Sequence, residues 1–140
     1  MKQTINEKRL AVLEETVKYY SKAPVSRRCQ TKNAKGNNRC YYDPLSAGKP
    51  KSDGCAVGRL LSVTDKKRLD RKGKGQSPSI NSVMDVSSRF YCKLPKKITE
   101  LGSIFLSDLQ YLHDNEMNWS TRGVSSTGKT KVSNIKKAIS

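Results

Sequence analysis

Apolar residues in the stretch 94–119, LPKKITELGSIFLSDLQYLHDNEMNW, fall at Ile98, Leu101, Phe105, Leu109 and Leu112. Spacings of three and four put these side chains on one face of a 3.6-residue period, so the pattern predicts an amphipathic helix with that face buried. Leu94-Pro95 suits its first turn, where a missing N–H leaves no partner unsatisfied. Gly102 is the weak position, costing about 1 kcal/mol relative to alanine unless something packs closely against it. A second helix is expected from Thr4 to Lys22. Thr4-Ile5-Asn6-Glu7 matches the capping box, and Leu10, Leu13, Val17 and Tyr20 make an inward stripe before Pro24 stops the helix. A short final helix carries Val132, Ile135 and Ile139 on one side, with Lys136 and Lys137 near the negative end of its dipole.

Between these helices the pattern weakens. Arg39-Cys40-Tyr41-Tyr42 and Cys55-Ala56-Val57-Gly58-Arg59-Leu60-Leu61 flank the turn-rich DPLSAGKPKSDG and read as a hairpin, since tyrosine and valine suit strands. Its long connection leaves the register open, as it does the alternative that Leu60-Leu61 begins a helix. Arg89-Phe90-Tyr91-Cys92 can supply a third short strand. Thr64 to Ser82, TDKKRLDRKGKGQSPSINS, holds almost nothing to bury and is expected to be an exposed basic loop. The elements together predict a single small α+β domain over residues 1–140, mainly helical, with a short antiparallel β-hairpin packed on the two longer helices.

Charge sharpens this picture. The chain of 140 residues carries a formal net charge of +16 with only 34% hydrophobic residues. From Lys22 to Lys74 there are 15 Lys and Arg against four Asp, a surplus of 11. A localised surplus favours polyanionic partners: DNA, RNA, a nucleotide or an acidic protein face. No apolar run approaches a membrane span, and MKQTINEKRL lacks the apolar centre of a signal peptide, so a soluble cytoplasmic protein is expected. There Cys29, Cys40, Cys55 and Cys92 are expected to be thiols. Their spacing matches no metal knuckle and the chain has one histidine, so neither a metal nor a cofactor is implied.

Several groupings bear on chemistry. Arg27, Arg28 and Arg39 precede Tyr41 and Tyr42, and Lys66, Lys67 and Arg68 follow later. Cations neutralising phosphates beside tyrosines stacking on bases would form a nucleic-acid surface; the alternative is a buried tyrosine pair inside a solvated charge run. Arg59 is a candidate bidentate phosphate ligand. Lys96 and Lys97 open the central helix at the positive end of its dipole, which suits either a jointly held anion or two solvated lysines. Gly123-Val124-Ser125-Ser126-Thr127-Gly128-Lys129-Thr130 satisfies the phosphate-loop pattern. The polar residues before it do not make a core strand, and ten residues after Thr130 leave no room for further β-α units, which argues against a nucleotide hydrolase. A turn leading to a lysine-bearing helix still suits phosphate binding through Lys129, against the plainer reading of a solvated cap. His113 beside Asp114 lacks a nucleophile or metal at any recognisable spacing, and a packed side chain or helix-end cation is the simpler reading.

Cys40-Tyr41-Tyr42, then Gly54-Cys55-Ala56-Val57-Gly58-Arg59-Leu60-Leu61, then Leu94-Pro95, Leu101-Gly102, Phe105-Leu106, Leu109-Gln110, Leu112-His113-Asp114 and Asn118-Trp119 together resemble small uncharacterised proteins encoded by bacteriophages and prophages. The resemblance covers roughly residues 39 to 135 in pieces. It implies a setting, the cytoplasm of an infected bacterium, and no mechanism. The expected function is a non-enzymatic phage accessory protein that binds nucleic acid or a phosphorylated nucleotide, which includes sequestering a nucleotide signal in counter-defence. The alternative is an interaction module for an acidic host or phage protein. The sequence leaves the oligomeric state open.

Overall fold

The computed structural model describes residues 3–24, 30–32, 38–40, 55–72 and 78–139. In chain order the elements are α1 (Ile5–Ser21), β1 (Gln30–Lys32), β2 (Asn38–Cys40), a 3-10 turn at Gly58–Leu60, α2 (Val63–Lys72), α3 (Ile80–Met84), α4 (Lys96–Thr99), α5 (Ser103–Asp114), a second 3-10 turn at Glu116–Asn118, β3 (Trp119–Ser120), β4 (Gly123–Val124) and α6 (Ser126–Ile139). The fold is mainly helical, as the pattern predicts, and the described residues hold two short antiparallel strand pairs, β1–β2 and β3–β4.

Helix α1 starts where its capping box puts it. Thr4 Oγ1 accepts from the Glu7 N–H at 3.1 Å, and Glu7 Oε1 accepts from the Thr4 N–H at 3.4 Å. Two early N–H groups that would otherwise lack partners are thereby satisfied. Its buried residues are Leu13, Thr16 and Tyr20. Leu10, expected on the inward side, is 38% exposed, because the stripe centres on Leu13 and Tyr20 and leaves Leu10 at its margin.

The single helix expected over 94–119 is two helices and a turn. Gly102 separates α4 from α5 with φ 86° and ψ 145°, a conformation closed to helical backbone and costly for any side chain. The close packing at this glycine comes from α1: Arg9 Nε donates to the Leu101 carbonyl at 2.8 Å. The apolar face survives the break, with Ile98, Leu101, Phe105, Leu109 and Leu112 all buried, and Leu106 joins them. Helix α5 ends at Asp114, before Trp119. There the Leu112 carbonyl accepts from Trp119 Nε1 at 2.8 Å and Asn118 Nδ2 at 3.2 Å, which satisfies one of the carbonyls a helix end leaves open.

The expected hairpin has a different partner. β2 pairs antiparallel with β1, in the register Gln30↔Cys40, Thr31↔Arg39 and Lys32↔Asn38, and not with Cys55–Leu61. The latter segment turns through the Gly58–Leu60 3-10 helix, with Cys55, Ala56 and Val57 all buried. A half-buried strand would expose every second residue, whereas a turn pushed into the core buries three in succession. The Val57 N–H is met by Gln110 Oε1 at 3.1 Å, which anchors the turn to α5. Arg89–Cys92, considered as a third strand, is a turn, with the Tyr91 N–H on the Ser88 carbonyl and the Cys92 N–H on the Val83 carbonyl.

The expected basic loop over 64–82 contains α2 and α3 instead. A few apolar residues suffice: Leu69 of α2 and Ile80 and Val83 of α3 are buried, and hydroxyl caps start both helices, Ser62 Oγ accepting from Asp65 N–H and Ser79 Oγ from Ser82 N–H, each at 3.2 Å. Tyr20 lies at the centre of an aromatic cluster, edge-on to His113 at 4.9 Å and to Trp119 at 5.9 Å, joining α1, α5 and β3. Cys55 and Cys92 are buried, and the Cys55 sulfur accepts from the Gly58 N–H at 3.4 Å. Among the described residues no helix is long and apolar enough to cross a membrane.

Candidate anion-binding surfaces

Of the cations singled out in the sequence, two are taken into the fold. The Arg59 side chain is only 10% exposed. Its guanidinium donates to Glu15 Oε1 at 2.8 Å and Thr16 Oγ1 at 3.0 Å, and lies 4.9 Å from the Tyr19 ring centroid. Arg59 is therefore a tie between the 3-10 turn and α1 rather than a free phosphate fork. Lys66 is 8% exposed, which removes it from any open surface. Arg39 lies on β2. Arg27, Arg28, Tyr41 and Tyr42 fall outside the described residues.

The others gather. Arg68 Nη2 donates to Asp65 Oδ1 at 2.9 Å and to the Lys93 carbonyl at 2.7 Å, so α2 is fastened to the segment that leads into α4. Two basic stretches separated by 25 residues become neighbours. On the α2 side Lys67 and Arg71 are exposed one turn apart, and on the other Lys93, Lys96 and Lys97 are exposed. Nearby carboxylates are engaged: Asp65 with Arg68, and Glu100 with Lys8 at 2.9 Å. Five exposed cations, Lys67, Arg71, Lys93, Lys96 and Lys97, thus stand on two segments that the Arg68 bond ties together.

A second basic feature lies across the molecule's α1–α6 side. A groove of about 510 Å³ is bounded by Val17 and Ser21 of α1, Ser120, Arg122, Gly123 and Val124 of the β3–β4 hairpin, and Lys129 and Val132 of α6. The hairpin is clamped by its glycine. Gly123, at φ 135°, lies so close to α1 that a Cβ there would sit 3.3 Å from Ser21 Cβ. The neighbouring helix is held as tightly, since a Cβ on Gly128 would overlap the Asn118 carbonyl oxygen and Val124 Cγ1. Ser125 caps α6, accepting from the Gly128 N–H at 3.1 Å while donating to the Met117 carbonyl.

The stretch matching the phosphate-loop pattern is thus a strand, a cap and the first turns of a helix. A phosphate loop works through a run of free backbone N–H groups curled around the anion. Here the Gly128 and Lys129 N–H groups go to Ser125. What remains of the pattern is the Lys129 side chain, exposed on the groove that Arg122 also lines.

No protein-family model matches this chain, and no curated protein or solved structure does either. Chemistry must therefore be read from the residues themselves. Among the described residues no group of three His, Cys, Asp or Glu is placed to hold a metal. His113 is fully buried against Tyr20, with Nδ1 2.7 Å from Asp114 Oδ1, a packed position in the aromatic cluster. The Asp85 carboxyl is held below its ordinary range by hydrogen bonds from the Ser87 hydroxyl and N–H, in an exposed turn that lines neither basic surface. Arg122 is the functional candidate that sequence reasoning missed. It follows a polar turn with no period or motif to mark it, and only the folding of the hairpin onto α1 and α6 brings it into one groove with Lys129.

Proposed function

We propose that the protein is a non-enzymatic nucleic-acid-binding protein that engages phosphates through Lys67, Arg71, Lys93, Lys96 and Lys97. The observation that supports this reading is the Arg68 bond to the Lys93 carbonyl, which brings two basic stretches of chain, 25 residues apart, next to each other. Such a surface supplies sequence-independent affinity by releasing counterions from the phosphate backbone. The setting that goes with this reading is the cytoplasm of an infected bacterium, supported by the resemblance to phage and prophage proteins alone. The same cations would steer the protein onto an acidic protein face, which the experiment below separates from nucleic-acid binding.

Fluorescence anisotropy with single- and double-stranded DNA and RNA, repeated across salt concentration, tests the reading. Five phosphate contacts on duplex DNA give a slope of log affinity against log salt of about −4.5. The Lys67→Glu/Arg71→Glu and Lys96→Glu/Lys97→Glu variants should each lower that slope in magnitude by about two and weaken binding uniformly across sequences. Absence of any shift at low salt with all four nucleic acids, for the folded protein, sinks the proposal and leaves the acidic-protein alternative.

A further inference from the structure

The groove between α1, the β3–β4 hairpin and α6 has a composition that the nucleic-acid reading does not use. Its walls contain two cations, Arg122 and Lys129, two hydroxyls, Ser21 and Ser120, and no carboxylate. Neither cation has a hydrogen-bonding or ion-pair partner among the described residues, in contrast to Arg9, Arg59 and Arg68, each of which is engaged within the fold. Two cations on the lining of one concavity, with no carboxylate beside them, give it a positive potential that favours an anion. The apolar part of the lining is Val17, Val124 and Val132, each half-buried, whereas both cations are exposed. A volume of about 510 Å³ lies within the range of small-molecule sites and exceeds what an inorganic ion fills.

We infer that this groove is a binding site for an organic phosphate monoester of nucleotide size. The planar fork of Arg122 takes two phosphate oxygens, Lys129 supplies a point charge on the same group, and the organic body lies on the three valines. Gly123 matters because any side chain there would press on Ser21 and move the Arg122 loop. No bond is made or broken in this proposal. It uses none of the cations on α2 and residues 93–97, so either can fail alone.

The test is isothermal titration of the full chain with adenosine monophosphate, ribose phosphate, adenosine and inorganic phosphate, and of the Arg122→Gln and Lys129→Gln variants with adenosine monophosphate. Both side chains are exposed, and circular dichroism confirms that the variants fold. Saturable binding of adenosine monophosphate is expected, with each variant weaker by about tenfold or more, as loss of a charge-assisted hydrogen bond implies. Adenosine and inorganic phosphate should bind more weakly than adenosine monophosphate, and ribose phosphate shows how much of the valine lining a sugar alone uses. The same two variants should keep nucleic-acid affinity, while Lys67→Glu/Arg71→Glu should keep adenosine monophosphate affinity. Binding of neither organic phosphate overturns the inference. So does affinity unchanged in both variants, or inorganic phosphate binding as tightly as the monoesters.

Discussion

Replacement of Gly128 by alanine sets two effects against each other. In a solvated helix the change would stabilise by up to about 1 kcal/mol, because glycine loses more backbone freedom on folding. In α6 the new methyl group would land on the Asn118 carbonyl oxygen and Val124 Cγ1. Neither gives way cheaply. The Asn118 carbonyl accepts from the Ser125 N–H at 2.9 Å, and Val124 belongs to the hairpin paired to Trp119. Overpacking costs about 1–3 kcal/mol, and displacing the carbonyl adds about 1 kcal/mol for its backbone hydrogen bond. After subtracting the propensity gain, Gly128→Ala should destabilise by about 1–3 kcal/mol, lowering Tm by roughly 3–10 °C. Urea unfolding followed by tryptophan fluorescence is the assay, since the chain has one tryptophan and Trp119 lies beside the contact. A midpoint unchanged or raised would refute the close approach of α6 to the second 3-10 turn.

Two further outcomes are accessible to simple measurements. Gly102→Ala should cost about 1–3 kcal/mol in thermal or urea unfolding, because φ 86° with ψ 145° is a region only glycine enters freely; a neutral result would mean that α4 and α5 join as one helix. Asp85 should titrate below 3.8 by NMR, and Ser87→Ala should move it upward by removing the hydroxyl donor. A carboxyl depressed in the folded state adds stability above its unfolded pKa and loses it as pH falls through the folded value, so this contribution vanishes only below about pH 4.

The features legible in the sequence were those with local causes. Thr4 and Glu7 define the start of α1 because a capping box is satisfied within four residues. Spacing of Ile98, Leu101, Phe105, Leu109 and Leu112 identified the buried face of α4 and α5, since burial depends on period and survives a break. Less legible was α2, where one buried leucine in a run of charges has too little periodicity to announce a helix, and where Arg68 gains its partner from a carbonyl 25 residues away.

Charge shows the same division. Sequence alone located the surplus, the candidate cations and the glycines at which something unusual must happen. Tertiary structure decided their roles, because a cation's availability depends on what faces it: Arg59 is held by Glu15 and Thr16, Lys66 is buried, Lys67 and Lys97 remain open, and Lys129 shares a groove with Arg122. Gly102 and Gly128 divide likewise. The helical pattern marks Gly102 as a weakness and the phosphate-loop pattern contains Gly128, while the reason each is glycine, a positive φ beside Arg9 in one case and the Asn118 carbonyl in the other, exists only once distant elements pack together.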